Sequence, residues 1–91
     1  MTRPPEDSAR ILVVDDEPRI REILVEFLGM EGYAVDDADS GEAALVSLSR
    51  QTYDVVLTDL KMPKMGGIEL LESIAAHTPD VLVILLSLIH I

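Results

Sequence analysis

The stretch Ile11-Leu-Val-Val-Asp-Asp-Glu-Pro18 decides the fold. Its apolar residues run without polar alternation, the pattern of a strand covered on both faces, as in a parallel sheet. Two acids end the run, and a helix is expected directly after them. Asp16 can cap that helix, Glu17 suits the positive end of its dipole, and Pro18 fits a first-turn position. Ile20, Ile23, Leu24, Phe27 and Leu28 then recur at helical spacing as the inner face, and Gly29 or Gly32 ends the helix.

The same unit repeats along the chain. Tyr33-Ala-Val35 reads as a second strand, and Ser40-Gly-Glu42 opens a helix with Ala44, Leu45 and Leu48 inside. Asp54-Val-Val-Leu-Thr58 is a third strand, again followed by an acid, Asp59. After the loop from Leu60 to Gly67, a third helix is expected to bury Ile68, Leu71, Ile74 and Ala75. Thr78-Pro79-Asp80 breaks it, and Val81 to Leu86 forms a buried fourth strand. Strand and helix alternate throughout, which predicts an α/β fold with a parallel sheet and right-handed crossovers.

Composition narrows the function. A chain of 91 residues has room for one small domain, and 48% hydrophobic content fits a folded one. A net charge of −10 argues against nucleic acid as a direct ligand, since phosphate backbones demand excess Lys and Arg. There is no cysteine, which excludes disulfides and thiolate metal sites and makes the cytoplasm the default location. Met1 to Ala9, with two prolines and no apolar core, reads as a flexible leader and not a signal peptide. The apolar stretch from Val81 to Ile91 is far shorter than the ~20 residues of a membrane helix, so no membrane association is expected.

In an open α/β sheet, ligands bind beyond the carboxyl ends of the strands, where strand order reverses. The first strand ends at Asp15 and Asp16, and the third at Asp59. If those strands are neighbours, three carboxylates converge. Two unit charges ~4 Å apart repel by about 4 kcal/mol at an effective dielectric near 20, so such a group must take up protons, spread apart or bind a cation. Oxygen ligands without nearby His or Cys favour a hard ion, and few protein ligands with room for water favour Mg²⁺. Asp16 alone reads more simply as a cap. Asp59 does not, because Pro63 and Gly66-Gly67 constrain the loop that follows it. A metal beside a strand-end carboxylate points to phosphoryl transfer with Asp59 as nucleophile. Ser87, at the end of the fourth strand, is a candidate hydroxyl for a phosphoryl oxygen. His77 reads as a surface residue and His90 as having no role.

Three segments carry a family resemblance. Ile11-Leu-Val-Val-Asp-Asp-Glu-Pro18, Leu57-Thr-Asp-Leu-Lys-Met-Pro63 with Gly66-Gly67, and Val81-Leu-Val-Ile-Leu-Leu-Ser87 resemble the receiver domain of bacterial two-component response regulators. The resemblance covers residues 10–87. It implies a flavodoxin-like doubly wound sheet of strand order 2-1-3-4-5, phosphorylated by a sensor histidine kinase. By position, Asp59 is implied as the phosphoacceptor and Asp16 as a direct Mg²⁺ ligand. Asp15 would act through water, the backbone carbonyl of Lys61 would complete the protein ligands, and Ser87 would be the switch hydroxyl. An output domain is implied in the parent protein, and the wording around Asp59 is similar to regulators of transcription.

The resemblance stops after Ser87, where the family continues to a fifth strand, a lysine and an aromatic switch residue. The expected sheet order is therefore 2-1-3-4, and Leu88 to Ile91 are expected to be a non-native tail. An uncovered fourth strand predicts marginal stability or dimerisation through that strand. Two other readings stand beside the receiver: a Mg²⁺-dependent phosphohydrolase with an aspartyl nucleophile, and an inert interaction module of the same fold. Hydrolases of that kind typically carry Asp-x-Asp; here Lys61 occupies the second acid's position.

Overall fold

A computed structural model describes residues 8–86. Strands β1 (Arg10–Val14), β2 (Ala34–Ala38), β3 (Val55–Asp59) and β4 (Leu82–Leu86) alternate with helices α1 (Pro18–Met30), α2 (Gly41–Arg50) and α3 (Gly67–His77). The four strands form one parallel sheet in the order β2-β1-β3-β4, the order expected. The chain has the flavodoxin-like α/β architecture.

Side chains alternate across each strand, so the two faces can be read separately. Leu12, Val14 and Val56 lie on one face, buried with Ala44 of α2 and with Leu70 and Ile74 of α3. Ile11 and Val13 are buried on the other, the face that α1 covers beside β1 and β2. β1 is thus enclosed on both sides, which is why its sequence carries no polar alternation.

Several local expectations need correction. Glu17, not Asp16, caps α1: its side chain accepts from the Arg19 amide, and Pro18 follows as the first helical residue. That leaves Asp16 free for another role. β2 runs on through Asp36 and Asp37 to Ala38, beyond the three residues expected, because ladder pairing with β1 outweighs the poor strand propensity of aspartate.

On α1, Ile23 and Phe27 are not inside; they are 59% and 57% exposed. The helix presents Ile20, Leu24 and Leu28 inward, and the neighbouring stripe faces a flank that no described element covers. On α3 the inner residues are Gly67, Leu70 and Ile74, whereas Ile68 and Ala75 are exposed. The rotation of α3 is set by Gly67, whose backbone lies against Asp59 and Leu60. β4 is half-buried and not buried. Leu82 and Ile84, on the face of α1, are 60% and 40% exposed, because α1 reaches only β1 and β2.

Candidate functional site

The register of the sheet builds the site. Val14 of β1 lies opposite Thr58 of β3, so the next residue on each strand, Asp15 and Asp59, reaches the same rim. Asp16 follows in the loop to α1. One carboxylate oxygen from each of Asp15, Asp16 and Asp59 can be chosen so that all lie within 4.8 Å of one another. The three acids singled out in the sequence do come together.

Their environments differ. Asp15 is buried at 2% exposure, Asp59 is half-buried and Asp16 is exposed. Oδ1 of Asp15 accepts the Glu17 amide at 2.8 Å, and Oδ1 of Asp59 accepts the Lys61 amide at 3.4 Å. Burial raises the Asp15 pKa above the ordinary carboxylate value. The Glu17 hydrogen bond opposes this, and the charges of Asp59, Asp16 and Glu17 add to it. Among the described residues, no lysine or arginine forms an ion pair with any of the three carboxylates.

The donor set fits a hard divalent ion. Opposed ligands of Mg²⁺ stand about 4.2 Å apart when each bond is 2.0–2.1 Å. Three oxygens within 4.8 Å of one another therefore need only small side-chain adjustments to share one ion. An open concavity of about 410 Å³ lies on the Asp16 side of the group, lined by Asp16, Asp39, Ser40, Glu42, Pro63 and Lys64 among others.

The loop after β3 is held from beneath. The Gly67 amide donates to the Leu60 carbonyl at 3.0 Å, and a Cβ on Gly67 would stand 2.5 Å from the Asp59 carbonyl oxygen. Only glycine lets α3 begin this close to the end of β3. Lys64, in the same loop, takes the left-handed backbone conformation at φ 67°, which few side chains adopt without strain. The Leu60 amide donates to the Leu86 carbonyl at 3.0 Å, tying β4 to the same rim. Ser87 itself, like His90, the first seven residues and the expected tail, lies outside the described residues.

Two residues at the site went unnoticed in the sequence. Arg21 of α1 donates from Nη1 to the Asp15 carbonyl at 2.8 Å and from Nε to Asp37 at 2.8 Å. The signal was faint: an arginine one turn inside an otherwise apolar helix face, and an acid near the end of β2.

A parallel sheet of this order with acids meeting beyond adjacent strands defines a doubly wound module built for a phosphoryl group or a cation. Residues 11–90 match the family described as the response regulator receiver domain, and the chain belongs to that family. It is 44% identical over 68 residues to the transcriptional regulatory protein ResD of Bacillus subtilis, covering 75% of this chain and 28% of ResD. It is 34% identical over 87 residues to the probable transcriptional regulatory protein TcrX of Mycobacterium tuberculosis, covering 96% and 37%. The chain therefore spans well under half the length of these relatives. Among solved structures, the response regulator TrrA of Thermotoga maritima in complex with Mg²⁺-BeF is 47% identical with a TM-score of 0.83. That match covers 87% of this chain and 69% of TrrA. TrrA has also been solved in complex with the histidine kinase ThkA, with a TM-score of 0.81 to this chain.

Among the described residues no helix is long and apolar enough to cross a membrane.

Proposed function

We propose that Asp59 accepts a phosphoryl group from a phosphohistidine of a sensor histidine kinase, in a reaction that requires Mg²⁺. The observation that carries this reading is the meeting of Asp15, Asp16 and Asp59 beyond two adjacent strands. The kinase and Mg²⁺-BeF complexes of TrrA support it by likeness.

A carboxylate oxygen of Asp59 forms the new O–P bond as the P–N bond to the donor imidazole breaks, and the departing nitrogen is reprotonated from water. Asp16, Asp59 and the Lys61 carbonyl would hold the ion directly, and Asp15 through water. Bound there, Mg²⁺ supplies positive charge to the phosphoryl oxygens. Lys61 stands two residues beyond Asp59, where a second acid would serve a hydrolase as proton donor. Its presence favours a persistent acyl phosphate, so the chain is a kinase substrate with slow self-dephosphorylation and not a turnover enzyme.

The surrounding protein follows from the same family. The chain covers 28% of ResD and 37% of TcrX, both transcriptional regulatory proteins by name, which supports an output domain acting on transcription in the parent. A cytoplasmic location accords with that role. The apolar edge of β4 supports self-association of the isolated chain through that strand.

Incubation with Mg²⁺ and acetyl phosphate tests the central step. An acid-stable, hydroxylamine-labile adduct of one phosphoryl group is expected on the wild type and none on Asp59→Asn. An undiminished adduct on Asp59→Asn would remove Asp59 from the role. Repeated turnover of a phosphate ester would replace this reading with the hydrolase.

A further inference from the structure

We infer that Arg21 is a positioning residue for the acid pair, acting through the peptide that joins Asp15 to Asp16. This rests on the reading of the acids as a Mg²⁺ site. The Arg21 side chain is largely covered, at 19% exposure, and its guanidinium makes two directed contacts. Nε donates to Oδ2 of Asp37 on β2, and Nη1 donates to the carbonyl oxygen of Asp15, each at 2.8 Å. An ion pair between helix and strand needs only the first of these. The second aims at the site.

The Asp15 carbonyl and the Asp16 amide belong to one planar unit, so orienting one orients the other. Asp15 is held on its other side too, where its amide donates to the Ala38 carbonyl at 3.2 Å. Ala38 adjoins Asp37, so β2 restrains Asp15 directly through one residue and by way of Arg21 through the next. Asp15 also takes the Glu17 amide on its carboxylate. Asp16 has no such support of its own: it is exposed, and no described hydrogen bond reaches its side chain. Its direction is inherited from the peptide that Arg21 holds. The fork of an arginine suits this double task, because one side chain donates along two fixed directions.

The sign of the effect separates positioning from charge. As a nearby cation, Arg21 opposes a second cation, so its removal on electrostatic grounds alone tightens Mg²⁺ binding. As a positioning residue, its removal loosens the Asp15–Asp16 peptide and weakens binding. Residues that orient metal ligands typically change affinity by 10–100-fold, and the lower end is expected for a group acting through the backbone.

The experiment is a calorimetric Mg²⁺ titration of the wild type, Arg21→Ala and Arg21→Lys, with ¹⁵N-resolved NMR of the metal-free proteins. Weaker binding, by roughly tenfold, is expected for both variants, because lysine restores the charge but not the fork. The Asp16 amide resonance is expected to move in both metal-free variants while those of β4 stay in place. Should Arg21→Ala fail to fold, the Lys variant carries the test. Unchanged or tighter binding in Arg21→Ala, or full recovery by Arg21→Lys, would overturn the inference. Absence of Mg²⁺ binding by the wild type would instead overturn the metal-site reading, and this inference with it.

Discussion

Asp15 and Asp59 leave two neighbouring parallel strands one residue beyond the same rung, Val14 opposite Thr58, and so share one rim without an intervening residue. The buried member, Asp15, has a raised pKa because its carboxylate is desolvated and faces the charges of Asp59 and Asp16. Metal-free folding works against this pair. Asp15→Asn removes one of the charges while keeping the shape. It is expected to raise the thermal midpoint of the metal-free protein at neutral pH and to weaken Mg²⁺ binding. Thermal unfolding with and without Mg²⁺ reads both effects; a lower midpoint without metal would contradict the account.

The same group sets a pH dependence. Because its folded pKa lies above the unfolded value of 3.8, the native state holds the Asp15 proton more tightly. The stability this contributes is present in full below pH 3.8 and is lost as pH rises through the folded pKa. The difference between wild type and Asp15→Asn isolates the effect of this one group. The stability advantage of Asp15→Asn is expected to grow with pH through the acid range and then level off in denaturant titrations.

Gly67 and Gly41 make a matched pair of probes. A Cβ on Gly67 would meet the Asp59 carbonyl oxygen at 2.5 Å, whereas one on Gly41 would meet the sulfur of Met65 at 2.8 Å. Backbone cannot yield as a methionine side chain can. Gly67→Ala is expected to destabilise by about 2–3 kcal/mol, in the range for overpacked sites, and to lower the acetyl phosphate yield. Gly41→Ala is expected to cost less and to leave the adduct intact. Denaturant midpoints and phosphorylation extents compare the two.

Tyr53 reports on the opposite end of β3. Its buried hydroxyl donates to Oδ2 of Asp36 at 2.6 Å. Burial, followed by that hydrogen bond and the aspartate charge, pushes its pKa up to about 12. The stabilisation is therefore complete below pH 10.0 and lost as pH rises through about 12. Tyr53→Phe is expected to cost about 1 kcal/mol at neutral pH. The gap between the two proteins should narrow above pH 10.0, followed by chemical denaturation at stepped pH.

The outer side of β4 is the site of a solubility test. Leu82 and Ile84 are exposed on the outermost of the described strands, with neither charge nor proline in its five residues. Natural edges are commonly guarded by lysine. Ile84→Lys is expected to shift the isolated chain toward monomer in sedimentation velocity without loss of helical circular dichroism. An already monomeric wild type would refute self-association through this edge.

Much of this was legible in the chain because it is local. Unbroken apolar runs marked β1 and β3, Ser40 marked the start of α2 by its hydroxyl acceptor, and the acids stood where strands end. The helix-face readings that failed concerned direction. Ile23 and Phe27 share the helical period of Ile20 and Leu24, yet the sheet meets only one side of α1. Likewise Ile68 and Ala75 fit an inner stripe of α3 until Gly67 fixes its rotation against Asp59. Periodicity reports how wide an apolar face is, but not which part of it meets a neighbour.

The sequence by itself determined the alternation of strand and helix and the places where acids end strands, because hydrogen bonding and turn chemistry act over a few residues. Only the tertiary structure decided that β1 adjoins β3, that Asp15 therefore sits beside Asp59, and that Arg21 reaches back to the Asp15 carbonyl. Those relations depend on the register of segments far apart in the chain. Register is settled when whole faces pack, not by any one stretch of residues.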